Sequence, residues 1–294
     1  MQPELIADYA CQTGERPIWH PQEQRLYWVD IPAGRMFRYD PASGQHEPVY
    51  QGRPIGGFTV QADGSLLLFL DRGTVVTWHD GRIERTIVED IPADRGTRFN
   101  DVAADPEGRV YCGTMSEKDA SGNILRYARL YLLQRDGSLS TLLDNVITSN
   151  GIGFSPDERT MYYTDTGVRT IWSFDYDRAT GTITNQRPFV RVPDDPQEGK
   201  PDGLAMDSQG RVWSARWGGG CVVCYSPEGI EQQRIHLPTG QVSCLTFGGP
   251  NLADMYITTA GGNDKQKNGL TAGALFRVRS AASGGPEFVS RVGN

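Results

Sequence analysis

The chain has 294 residues, 38% of them hydrophobic and 22% charged, with a net charge of -7 and a pI near 5.2. This acidity serves solubility and argues against a nucleic-acid partner, because phosphate binding needs clustered Lys and Arg. No apolar stretch reaches the length of a membrane span, and the opening Met1-Gln2-Pro3-Glu4-Leu5 lacks the basic start and apolar run of a signal peptide, so a cytoplasmic protein with no membrane contact is expected.

In chain order, six short strand-like segments recur at residues 25–30, 65–70, 109–114, 160–165, 211–216 and 254–259. Turns with Gly or Asp at the positions of unusual φ precede several of them, at 62–64, 105–108, 155–157 and 208–210. Further strand-like stretches follow, most clearly at 35–44 and 170–177. The spacing of roughly 40 to 50 residues is that of four-stranded propeller blades, and helical periodicity is nearly absent. A β-sandwich would not return one motif six times. The pattern predicts an all-β, six-bladed propeller with antiparallel blades around a central channel. With no Pro/Gly/Ser-rich linker, it is expected as a single domain over 1–294 and, as a closed ring, a monomer. Residues 5–9 are expected to join the last blade and close the ring.

The five cysteines, Cys11, Cys112, Cys221, Cys224 and Cys244, are odd in number and scattered, which fits a reducing compartment. Cys221 and Cys224 have CxxC spacing but lie in a strand-like run with no second Cys or His pair, and are expected to be structural. The histidines His20, His46, His79 and His236 lie away from the repeat position described next, and no Gly-x-Ser-x-Gly elbow occurs, which argues against a nucleophilic triad.

Aligned on their turns, the blades place Pro21, Ala62, Pro106, Pro156, Ser208 and Pro250 at one repeat position. Six residues earlier stand Glu15, Gly56, Asn100, Asn150, Asp202 and Cys244. Equivalent positions on innermost strands ring the channel, so oxygen-bearing side chains converge there. Their mutual repulsion calls for one divalent cation. Ca²⁺ leads and Mg²⁺, Mn²⁺ and Zn²⁺ are alternatives, while the lack of His or Cys ligands argues against a structural zinc.

The blocks 14–19, 27–31, 98–101, 108–109, 113–115, 149–151, 174–177, 201–203 and 247–249 resemble, in order, those of the gluconolactonase/regucalcin (senescence marker protein) family of six-bladed propellers. The resemblance implies metal-dependent hydrolysis of sugar lactones, with a small-molecule lactone as partner. It implies Glu15, Asn150 and Asp202 as metal ligands, Asn100 as a contact of the metal's water or the substrate, and Arg98 as a substrate-binding arginine. Asp202 is also the candidate general base, the alternative being water activated by the metal with Asp202 only steering it. The sequence departs from the family at two places. Arg16 stands where a small residue is common, and Glu117-Lys118 replaces an acidic pair whose second member touches substrate in some members. Arg16, Glu117 and Lys118 are therefore expected at the mouth, where the added positive charge would favour an anionic lactone. Alternatives are a phosphotriesterase-like or other esterase activity, a non-catalytic calcium-binding protein, and a propeller that binds protein partners on its faces.

Overall fold

A computed structural model describes residues 2–279, 282–285 and 287–293. It contains six four-stranded antiparallel sheets and one two-stranded hairpin. The fourth sheet is representative: Ser149–Phe154, Thr160–Asp165, Thr170–Asp177 and Thr182–Arg191 follow one another from the channel outward. The expected closure is present. Glu4–Asp8 forms the outermost strand of the sixth sheet, beside Ala274–Arg279, whereas Val242–Gly248 of the same sheet lines the channel.

Burial explains the apolar patterning. Inner strands are covered on both faces by neighbouring blades, so Leu66–Leu70 reads Leu-Leu-Leu-Phe-Leu and is buried throughout. Outer strands face water, and Arg82–Val88 is mostly exposed. Trp28, Tyr111, Trp213 and Phe276 fill the space between blades. Among the described residues no helix is long and apolar enough to cross a membrane.

The turns joining first to second strands carry their own clamps. Asp105 accepts hydrogen bonds from the Glu107 and Arg109 amides (both 2.9 Å) and pairs with the Arg109 guanidinium at 2.6 Å. Asp207 does the same for Gln209 and Arg211 in the fifth blade. These turns define one end of the channel, its floor. The C-terminal segment crosses this end: Gly284 bridges to Asp207 and Ser290 to Gln61, and the Arg291 amide donates to Gly108 O at 2.8 Å.

Candidate functional site

At the other end, each of the six innermost strands carries a register shift against its neighbour. The shifts fall between Glu15 and Ile18, Ile55 and Gly57, Phe99 and Val102, Ser149 and Ile152, Pro201 and Leu204, and Val242 and Cys244. A bulge leaves an extra residue unpaired and re-aims its side chain. Here six bulges in register direct the ring residues at the channel. The strand register corrects one ring assignment. Phe247 pairs with Met255 as Phe154 pairs with Met161, so the equivalent of Asn150 in the sixth blade is Ser243 rather than Cys244. The turn after it is one residue longer, eight positions from Phe247 to Met255 against seven from Phe154 to Met161, which displaced the count. Gly56 has no side chain because the third blade passes too close: a Cβ there would lie 2.0 Å from Phe99 O.

Glu15, Asn100, Asn150 and Asp202 are all buried, between 4% and 7% exposed. A directional chain of hydrogen bonds fixes the two amides. Arg98 Nη1 donates to Asn100 Oδ1 (2.6 Å), Asn100 Nδ2 to Asn150 Oδ1 (2.8 Å), Asn150 Nδ2 to Thr166 Oγ1 (2.8 Å), and Thr166 Oγ1 to Pro201 O (2.7 Å). Since the Thr166 proton goes to a carbonyl, its oxygen can only accept from Asn150, which turns the Asn150 oxygen away from Thr166 and towards Asn100.

The carboxylates have no comparable partners. Among the described residues neither Glu15 nor Asp202 is in an ion pair, and Glu15 Oε2 accepts only the Arg16 amide, at 3.1 Å. Burial, then the charge of Asp101, pushes Glu15 up to about 8. Burial, then the charges of Glu15 and Asp101, holds Asp202 well above the usual carboxylate range. Arg98 is lowered to about 10 by burial, against the pull of Glu15 and Asp202. Among the described residues no three His, Cys, Asp or Glu side chains form a metal-holding group. The donor set here is two carboxylates completed by amide oxygens. Unpaired buried carboxylates beside an oriented amide suit a hard cation, which would replace the missing counter-charge.

Arg98, Glu117 and Lys118 belong to this end. The Met115 amide donates to Arg98 O at 3.2 Å, and the hairpin of Glu117–Lys118 and Ile124–Arg126 follows directly. Glu117 lies over the loop that leads to Arg98, so close that a Cβ on Gly96 would meet its Oε1 at 2.4 Å. Lys118 is exposed. Arg16 is not at the mouth, contrary to the sequence expectation. Its backbone sits at φ 45°, and the side chain, 6% exposed, turns into the channel beneath the ring. There Nε donates to Phe58 O at 3.2 Å and lies 3.7 Å from Asp101, while Nη2 approaches Glu287 at 3.5 Å. The left-handed bulge position sends the residue after Glu15 inward, where glycines at the equivalent positions 57, 151 and 203 leave room.

Sequence reading missed Thr166, Asp101 and a pair of supporting aspartates. Asp165, which ends the second strand of the fourth blade, accepts the Ile147, Thr148 and Gly167 amides at 3.0 to 3.1 Å. Asp30 ends the corresponding strand of the first blade and accepts the Thr13 amide at 3.1 Å and Arg35 at 2.7 Å. Each holds the backbone two residues before a ring oxygen donor, Asn150 or Glu15. The repeat alignment contained this signal: residues 30 and 165 each close a repeated segment with Asp.

The chain matches the family described as SMP-30/Gluconolactonase/LRE-like region over residues 13–261. It is 46% identical to pentonolactonase XacC of Haloferax volcanii over 295 residues, covering 98% of this chain and 97% of that one. It is 32% identical to regucalcin of Xenopus laevis, covering 94% and 93%. A solved luciferin-regenerating enzyme superposes with a TM-score of 0.88 at 28% identity, covering 99% of both chains.

Proposed function

The chain belongs to the SMP-30/gluconolactonase/LRE-like family, and from that premise we propose that it hydrolyses sugar lactones at the ring of Glu15, Asn100, Asn150 and Asp202. The observation that carries this reading is the pair of buried carboxylates without an ion-pair partner beside amides whose orientation is fixed. Similarity to a pentonolactonase over nearly the whole chain supports a neutral five- or six-carbon sugar lactone as substrate.

Glu15, Asn150 and Asp202 would hold one divalent cation, which would supply Lewis acidity toward the lactone carbonyl. Ca²⁺ heads the candidates because every donor is oxygen, with Mg²⁺, Mn²⁺ and Zn²⁺ as alternatives. The chain's own residues do the rest. Asp202 orients the attacking water and accepts its proton. Arg98 holds the sugar hydroxyls through the guanidinium donors that its bonds to Phe99 O and Asn100 Oδ1 leave free, while Asn100, whose two amide protons go to Ser149 O and Asn150 Oδ1, accepts through its oxygen. Glu117, on the hairpin above, accepts a hydrogen bond from a hydroxyl on the distal part of the sugar. With Arg16 withdrawn into the channel, Arg98, Lys118 and Arg126, the last 3.9 Å from Glu117, are among the cations at this end. They support a second reading, preference for a lactone that carries a carboxylate.

The deciding experiment is hydrolysis of neutral and anionic lactones by metal-stripped protein and by protein refilled with each of the four ions. Metal-dependent turnover of a neutral pentono- or hexonolactone is expected. Turnover confined to anionic lactones would select the second reading. No turnover above the spontaneous rate, with metal bound, would overturn the hydrolase.

A further inference from the structure

A cavity of about 390 Å³ lies at the floor end of the channel. It is reached from Asn150 by following the same strand for four residues to Phe154, about 13 Å at the usual strand rise. Ile152, Met206, Phe247 and Phe288 line it, the last from the C-terminal segment. Its volume falls in the range of roughly 300 to 1,000 Å³ typical of small-molecule sites, which are mostly apolar with a few placed polar groups. The placed group here is Arg16. The residue is 5% exposed and its Nη2 makes no well-formed hydrogen bond, the ion pair with Glu287 being stretched to 3.5 Å. A buried donor so incompletely satisfied is costly, so an acceptor delivered into the cavity would gain more than a surface hydrogen bond would.

Charge decides which acceptor. Asp101 and Glu287 lie 3.7 and 3.5 Å from the one guanidinium. Its charge is already more than balanced, and a further carboxylate or phosphate would be repelled by both acids. A second cation would find the lining acids already engaged, Asp207 by Arg211 and Glu158 by Arg178 at 2.6 Å each, and Glu287 by Arg16. We propose that this cavity is a second small-molecule site, separate from the ring, for a neutral and largely apolar molecule bearing one carbonyl-type oxygen. That oxygen accepts from Arg16 Nη2, and the apolar body lies on Met206, Phe247 and Phe288. The ring takes polyhydroxylated molecules through carboxylates and amides, so the two ends differ in the chemistry they recognise.

Benzophenone is a suitable probe, being apolar, carrying one carbonyl and labelling nearby C–H bonds on irradiation. Binding to the full chain is measured by ligand-observed NMR alongside diphenylmethane, which lacks the acceptor, and 4-benzoylbenzoate, which adds a negative charge. Benzophenone is expected to bind about three- to tenfold more tightly than diphenylmethane, the range one net hydrogen bond supplies, and also more tightly than 4-benzoylbenzoate, whose carboxylate Asp101 and Glu287 repel. Photolabelling should map to Met206, Phe247 or Phe288 and persist when a sugar lactone saturates the ring. Ala205→Phe, which fills the cavity from its half-buried wall, should abolish the labelling while lactone turnover and melting temperature are kept. Equal or tighter binding of diphenylmethane or 4-benzoylbenzoate would overturn the proposal. So would labelling outside the cavity, or labelling that Ala205→Phe leaves intact. None of these outcomes depends on whether the ring hydrolyses lactones.

Discussion

At the scale of single residues, the ring sets two carboxylates against each other in a buried place, and Arg98, though it acts on both, forms an ion pair with neither. Asp202→Asn removes one charge with little change of shape. Lactone turnover is expected to fall at least about a hundredfold, the usual effect of losing a group that both polarises and accepts a proton. The metal-free variant should melt no lower than the parent, because the repulsion from Glu15 is gone; calorimetry of the stripped proteins checks this. A pH dependence follows from Glu15, whose folded value of about 8 lies above its ordinary 4.5. The metal-free folded state therefore holds this proton more tightly than the unfolded chain does. That contribution to stability is present below about 4.5 and is lost as pH rises towards 8. A cation competes with the proton, so the rise in melting temperature on adding metal should be small at pH 5 and should grow up to about pH 8. A metal-induced rise of the same size at both pH values would contradict the assignment of Glu15.

At the scale of elements, ring residues are held by loops clamped from the second strand. Asp165 accepts three backbone amides in the segment around Asn150. Asp165→Ala would leave these donors in a partly buried place, at a cost of about 2 to 4 kcal/mol for charge-assisted bonds and unsatisfied amides together. Because Asn150 follows within two residues, metal affinity should fall in the folded protein as well, by about tenfold. Titration calorimetry beside a chemical melt separates the two effects. An Asp165→Ala protein with lowered stability but unchanged metal affinity would show that the clamp serves the fold alone.

At the scale of the whole molecule, the ring is closed by a strand from the start of the chain on a blade built from its end. Glu4–Asp8 pairs with Ala274–Arg279, and its Glu4 side chain meets Arg277 at 2.7 Å. Deleting residues 1–9 would expose the edge of Ala274–Arg279 and remove Tyr9 from its stack on Phe37, 4.2 Å between ring centroids. The truncated chain is expected to melt lower, and to associate through the freed edge. Light scattering during a thermal melt reads both. A truncated chain that scatters no more light than the parent and keeps its melting temperature would show that closure contributes little.

The six-fold repeat and the strand-turn-strand period were legible in the sequence because each is local: apolar runs, turn residues and spacing need no tertiary knowledge. The N-terminal closure, a long-range pairing, followed from the ring those repeats imply and its need to cover the last edge. The same holds for Glu15, Asn100, Asn150 and Asp202, which one repeat register brings to one level of the channel. Only the folded chain decided what that register leaves open. The sixth position became Ser243 because a turn is one residue longer, and Arg16 went below the ring because a bulge with positive φ turned it inward. Thr166 orients Asn150 from another loop, and Glu287 meets Arg16 across 271 positions of sequence (287 − 16). Such contacts depend on side-chain direction and on distant segments meeting across the channel, and neither leaves a periodic trace in the order of residues.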